Sequence, residues 1–229
     1  MKPLQGKIAV VAGSSRGAGR GIALALGDAG ATVYGAARTS RHGPKPADGA
    51  PGTVEDTAEE VSARGGLGIP VRADLGNEAE TAALFERVEE DQGRLDLMAD
   101  SAWGPTVAEW SNPFWELSAG IWRDTVVTIN AAWLTSVYAA RIMVKQHGGL
   151  IIHVTDNLHP DPSAYRGQII WDLGHEFLNR LIADMSRELK KSPAKSKLAM
   201  VGLNPGFMRA EGGSSTCPRT RLRNSTASI

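Results

Sequence analysis

The sequence predicts an α/β fold, a doubly wound parallel sheet of six or seven strands with helices on both faces. Two observations carry that prediction. Short apolar and β-branched runs alternate with longer stretches of helical periodicity along nearly the whole chain. The first of those runs also passes into its helix through a glycine-rich turn.

Residues 8–11, Ile-Ala-Val-Val, read as the first strand, and residues 21–28 as the helix behind the turn. Residues 32–36 give a second strand and 54–64 a second helix. Residues 68–72 give a third strand, followed by an amphipathic helix over 77–92. A fourth strand is expected at 95–99, helical patterning covers 121–146, a strand spans 150–154, a helix runs over 170–190, and a sixth strand fills 198–203. Strands that alternate with helices imply right-handed crossovers and hence parallel pairing. Residues 40–52, rich in glycine and proline, form a loop of a kind that often carries function. Residues 209–229, rich in Ser, Thr and Arg without periodicity, read as an irregular tail, which leaves 1–208 as one domain.

At 229 residues the chain is long enough for one well-buried core and short for two ordinary domains. Twenty-five basic residues balance twenty-five acidic ones, so no net charge recruits nucleic acid or an anionic membrane. A small-molecule partner is expected. The single cysteine, Cys217, cannot form an internal disulfide, which fits a reducing, cytoplasmic setting. No apolar stretch approaches the roughly 20 residues of a spanning helix, and residues 1–7 lack the hydrophobic run of a signal peptide.

The turn reads Ala12-Gly13-Ser14-Ser15-Arg16-Gly17-Ala18-Gly19. Gly13 would permit a tight turn, Gly17 would admit a pyrophosphate against the backbone, and Gly19 would let the helix pack on the strand, with free N–H groups and the helix dipole facing the anion. At the end of the second strand Ala37 stands where an NAD site places a carboxylate on the ribose hydroxyls. Arg38 follows it and Arg16 precedes Gly17, so two guanidinium groups could converge on a 2′-phosphate, which points to NADP(H). The alternative is that both arginines only solvate the surface.

With the glycines at these spacings the sequence resembles the short-chain dehydrogenase/reductase family, whose first motif is TGxxxGxG, although Ala12 replaces the threonine. The resemblance covers about residues 7–208. It implies a Rossmann-type fold and an oxidoreductase acting on a carbonyl or alcohol. Asp74 and Leu75 look like its adenine-contacting motif, Asn130 lies where its structural asparagine is expected, and Asn204-Pro205-Gly206 follows the sixth strand. The implied cofactor set is Gly13, Ser15, Arg16, Gly17, Gly19, Arg38, Asp74, Leu75, Ala102, His175, Pro205 and Gly206.

The family's Ser, Tyr and Lys, with YxxxK spacing, are not reproduced. Registering Met185-Ser186-Arg187-Glu188-Leu189 on the family's helix places Trp171 at the tyrosine and His175 at the lysine; Tyr165 is followed four residues on by Ile169. Asp156, or with a slip Thr155, stands at the serine, and Asp100-Ser101-Ala102-Trp103-Gly104 replaces NNAG, with Ala102 kept. An indole N–H donates a hydrogen bond but is no acid near neutral pH. Asp156 and His175 could form a general acid/base pair; the alternative is that Asp156 caps its loop and His175 bonds ribose or a helix neighbour. The candidate catalytic residues are therefore Asp156, His175, Asn130 and Trp171.

Trp103 and Trp171 would wall a pocket for an apolar or aromatic substrate, while packing explains Trp110, Trp115, Trp122 and Trp133 equally well. Three functions stay open: an NADP(H)-dependent oxidoreductase; a non-redox isomerase, cyclase or dehydratase using Asp156 and His175; and a nucleotide-binding protein without catalysis. The resemblance further implies a homodimer through the helices at 121–146 and 170–190, and a missing substrate lid and seventh strand.

Overall fold

The computed structural model describes residues 1–43, 49–104, 112–156, 169–206 and 208. Among these residues six strands, β1 (Ile8–Ala12), β2 (Thr32–Ala37), β3 (Leu67–Arg72), β4 (Leu97–Asp100), β5 (Gly149–Val154) and β6 (Leu198–Leu203), alternate with α1 (Gly17–Asp28), α2 (Val54–Ala63), α3 (Glu78–Gln92), α4 (Ala119–Lys145) and α5 (Ile169–Leu189). The sheet order is β3-β2-β1-β4-β5-β6, and each neighbouring pair is parallel. The chain thus runs outward from β1 to one edge, then returns to β4 and runs outward to the other.

β1 is buried at all five positions because both faces of the sheet are covered. Its side chains alternate between two cores. Ile8, Val10 and Ala12 join Leu84, Phe85 and Val88 of α3, Ile142 and Met143 of α4 and Ile182 of α5. Ala9 and Val11 face the other way, onto Ala23 and Leu26 of α1 and Val61 of α2. Each large side chain buried this way contributes about 1.5–3 kcal/mol.

The helices begin and end where their chemistry dictates. The Thr53 hydroxyl accepts from the Asp56 amide at 3.1 Å to cap α2, and the Asn77 side-chain Oδ1 accepts from the Glu80 amide at 3.2 Å to cap α3. Gly93, in the left-handed conformation, stops α3.

Three expectations need correction, and one element was not foreseen. The first helix starts at Gly17, not residue 21, because the glycine turn itself winds into the first helical turn. The fourth strand runs over Leu97–Asp100, two residues later than expected at its start, since Leu95 and Asp96 are spent on the turn below the sheet: Leu95 bonds Gln146, and the Asp96 carboxylate accepts from the Ile8 amide. A 3₁₀ turn at Phe114–Glu116 was not foreseen. α4 is, contrary to the sequence reading, long and apolar enough to cross a membrane by length and composition. Thr125, Thr128, Asn130, Thr135 and Ser136 interrupt its apolar run in the linear sequence, and half of its apolar window is buried inside the fold, as in a core helix. The irregular tail at 209–229, with Cys217, together with Trp110 and Tyr165, lies outside the described residues, as does part of the 40–52 loop.

Candidate active site

The direction of winding reverses between β1 and β4, and loops leaving the carboxyl ends of these two strands part to opposite faces, leaving a crevice there. The candidate residues collect along this edge: Gly13 to Gly19 after β1, Arg38 after β2, Asp74 and Leu75 after β3, Ala102 after β4, Asp156 after β5, and Pro205 and Gly206 after β6.

The glycine turn is shaped by contact as well as by conformation. Gly13 has φ +77°, and a Cβ there would sit 2.8–2.9 Å from the Ser101 and Ala102 backbone. At Gly19 a Cβ would meet the Gly13 carbonyl oxygen at 2.2 Å, so helix and turn touch backbone to backbone. Arg16 is the N-cap of α1, in extended conformation, and the first turn of α1 carries no acidic side chain. The helix mouth therefore presents N–H groups and a positive dipole end with no carboxylate to compete. Ser15 is buried, and the buried Ser14 hydroxyl has no hydrogen-bond partner among the described residues.

Beside this turn the Arg16 guanidinium donates to the Thr39 hydroxyl at 3.2 Å, which draws it to the end of β2. Arg38 is exposed and makes no hydrogen bond or ion pair among the described residues. Arg41, close by in sequence, is by contrast engaged with Asp56 and Glu59; it holds the Glu59 carboxyl below the usual range, and Asp56 is held low by the Thr53 hydroxyl and then by Arg41. Across the crevice the Asp74 carboxylate accepts from the Gly76 amide at 3.0 Å, which shapes the turn after β3.

The second half of the edge gathers Asp156, Trp171 and His175. The Trp171 indole N–H donates to Asp156 Oδ2 at 3.1 Å, and Asn204 Nδ2 donates to Oδ1 at 3.3 Å. His175 is buried, and its Nδ1 accepts the Asp156 backbone N–H at 3.0 Å. That bond leaves Nδ1 without a proton, so the neutral ring carries its hydrogen on Nε2. The aspartate and histidine do meet, but through the backbone amide rather than carboxylate to imidazole. Asn179, one turn after His175 on α5, accepts the Thr155 hydroxyl at 2.8 Å and donates to the Asp156 carbonyl at 3.1 Å. Trp103 stacks on His175 with ring centroids 4.5 Å apart and 4° between planes, and Trp171 closes the group at 4.3 Å from the same imidazole. Gly174 makes room for this: a Cβ there would approach Trp103 to 2.7 Å.

Asn130 is not part of this group. It is exposed on α4, and its side-chain amide donates to the Gly76 carbonyl at 2.9 Å, tying α4 to the turn after β3. Thr128 is the α4 residue at the crevice, where its hydroxyl accepts the Gly104 amide at 2.9 Å. Sequence reasoning missed Thr128 and Asn179, and named Asn204 only as part of the turn after the sixth strand. Only the i, i+4 spacing of His175 and Asn179 offered a signal.

A cavity of about 700 Å³ opens at the opposite end of the strands, lined by Leu4, Leu26, Leu97 and Leu150 with Lys7 and Asp96. None of the candidate residues lines it, and Asp96 there is already satisfied by Lys7, Arg94 and the Ile8 amide.

Comparison with known proteins gives a concordant result. A family model described as short chain dehydrogenase matches residues 7–216. Over 214 residues the chain is 37% identical to dehydrogenase/reductase SDR family member 1 of Mus musculus and 36% identical to its Homo sapiens counterpart, covering 91% of this chain and 63% of each relative. The chain thus spans somewhat under two thirds of those relatives' length. Among solved structures, a metagenomic short-chain oxidoreductase in complex with NADP superposes with a TM-score of 0.72 at 26% identity, covering 91% of this chain and 84% of that one. A short-chain type dehydrogenase/reductase from Mycobacterium marinum, at 24% identity and a TM-score of 0.74 over 90% of this chain and 75% of that one, shares the fold.

Proposed function

We propose, from the premise that this chain belongs to the short-chain dehydrogenase family, that it binds NADP(H) and interconverts a small alcohol and its carbonyl compound. The observation that carries this reading is the anion cradle after β1, where glycines at 13 and 19 leave no room for side chains and α1 opens without an acidic residue. Gly13, Ser15, Arg16, Gly17 and Gly19 would hold the pyrophosphate. Arg38, with Arg16 steadied by Thr39, would receive the 2′-phosphate. Asp74 and Leu75 would face the adenine; Ala102, His175, Pro205 and Gly206 would line the nicotinamide end. The NADP complex of the metagenomic relative supports the choice of cofactor.

When bound, the cofactor's nicotinamide would supply or accept the hydride. The rest falls to the chain's own residues. The Asp156 carboxylate, oriented by N–H donors from Trp171 and Asn204, takes the alcohol proton in oxidation and returns it to the carbonyl oxygen in reduction. His175 fixes the Asp156 backbone instead of supplying the positive charge of the family's lysine. The Trp103 and Trp171 faces give a flat or apolar substrate a surface to rest on.

Nicotinamide absorbance, followed with a panel of carbonyls and alcohols, tests the reading. Turnover that disappears in Asp156→Asn while NADP(H) affinity persists is expected. Binding of the dinucleotide without turnover of any substrate would refute hydride transfer and leave proton-transfer chemistry or a regulatory role. Trp171→Tyr combined with His175→Lys should create or raise reductase activity.

The outer faces of α4 and α5 expose Trp122, Val126, Trp133, Leu173 and Phe177, each 45–50% accessible. A second copy of the chain, related by a two-fold axis, would cover them. Light scattering should then return twice the chain mass of 24.3 kDa; the monomer mass would reject the dimer.

A further inference from the structure

Beneath the crevice the sheet holds a polar chain that the chemistry above does not use. Asp100 ends β4, His153 is its register partner on β5, and Ser136 lies over them on α4. All three are at most 4% exposed. Ser136 Oγ and His153 Nε2 are 2.8 Å apart, and His153 Nδ1 lies 3.8 Å from Asp100 Oδ2. The order resembles a nucleophilic serine triad. Its burial excludes that use, because no substrate reaches a serine 1% exposed, and 3.8 Å is too long for the histidine–aspartate hydrogen bond.

What the chain does control is charge beneath the glycine turn. Asp100 is the register partner of Ala12 on β1, the residue immediately before Gly13. Its Oδ1 accepts the Ala102 amide at 2.8 Å, and its Oδ2 accepts the Thr135 hydroxyl at 2.8 Å. Both donors are neutral, so neither offsets a charge on this buried carboxylate, which lies next to the loop where an anion would bind. His153 is the group that can cancel it. From β4 it faces Asp100, from α4 the Ser136 hydroxyl, and its β6 register partner is Gly202, over which Ile182 of α5 packs. Asp100 is the one charged group acting on it among the described residues. Burial pushes the imidazole below the ordinary histidine range, and the Asp100 charge opposes part of that shift.

We propose that Asp100 and His153 form a proton-binding site linked to the dinucleotide site: a proton taken up by His153 neutralises the charge under the glycine turn and strengthens binding of the anionic cofactor. By reciprocity, cofactor binding favours protonation of His153. The linkage rests on the dinucleotide reading of the crevice.

The two members of the pair should respond in opposite senses, a pattern that a purely structural role would not give. Asp100→Asn removes the charge but keeps an acceptor for the Ala102 amide; His153→Gln keeps the charge permanently uncompensated. The dissociation constant of NADP⁺, measured between pH 5.5 and 8 for the wild type and both variants, reads this out. Titration of the cofactor's own phosphate is common to all three proteins and cancels in their ratios. Wild-type affinity should weaken by at least about fivefold more than that of Asp100→Asn as pH rises. Asp100→Asn should bind tightly throughout, and His153→Gln should stay near the weak, high-pH wild-type value. If one variant fails to fold, the slope of the other decides. Equal pH dependence in the wild type and a folded variant would overturn the linkage alone, whereas no NADP⁺ binding by the wild type at any pH would overturn the dinucleotide reading and the linkage with it.

Discussion

Two glycines in the same helix should respond oppositely to the same added methyl group. In Gly19→Ala the new Cβ would lie 2.2 Å from the Gly13 carbonyl oxygen and 2.7 Å from its carbon. A C···O contact is comfortable at about 3.3 Å, so the methyl arrives about 1 Å too close. The obstacle is backbone, which cannot rotate aside, so α1 must move off the turn. Overpacking of this kind costs about 1–3 kcal/mol, and the same movement takes the helix N–H groups away from the anion. At Gly21, exposed in the body of α1, a Cβ would meet nothing within 4 Å. Gly21→Ala should gain about 0.5–1 kcal/mol from the lower entropy of alanine in the unfolded chain. At roughly 2–4 °C per kcal/mol for a chain of this size, the Tm of Gly19→Ala should fall by about 2–12 °C and that of Gly21→Ala should rise by about 1–4 °C. Urea unfolding and calorimetric titration with NADP⁺ measure both consequences. A Gly19→Ala protein of wild-type stability and affinity would refute the claim that helix and turn are in backbone contact.

Other expectations follow from the same geometry. Arg38→Glu should weaken NADPH binding by about tenfold or more, the worth of one hydrogen bond to a charged group, and leave NADH affinity nearly unchanged; equal losses for both would place the 2′-phosphate elsewhere. His147, at φ +61° just past the end of α4, holds a left-handed conformation that glycine adopts without strain. His147→Gly should therefore stabilise the fold by about 0.5–1 kcal/mol in urea titration, and a loss would refute the assignment of strain. Because the folded-state pKa of His153 lies below its ordinary value of 6.5, the unfolded chain takes up the proton first as pH falls. Stability contributed by the neutral imidazole is thus fully present above pH 6.5 and declines below it, by at most about 1.4 kcal/mol per pH unit. Unfolding midpoints at pH 7.5, 6.5 and 5.5 should fall more steeply for the wild type than for His153→Gln, and parallel slopes would count against a buried neutral histidine.

The alternation of strand and helix was legible in the chain because each strand and each amphipathic helix carries its own periodicity, and a parallel sheet follows from that alternation alone. The glycine turn was equally legible, since the need for bare backbone at residues 13, 17 and 19 is met by the residue type itself. Asp156, Trp171 and His175 were placed by the resemblance to the family's motifs, and not by local sequence alone. The partner of each polar group was not written there. Side-chain orientation depends on contacts between residues distant in sequence: Asn130 turns to the Gly76 carbonyl, 54 positions away, while Thr128 takes the place at the crevice. His175 spends its Nδ1 on a backbone amide, and Asp156 gains Asn204 from the turn after the neighbouring strand. Periodicity fixes which face a residue occupies; only the packed sheet decides which donor meets which acceptor, and so which carboxylate faces the crevice and which lies buried beneath it beside His153.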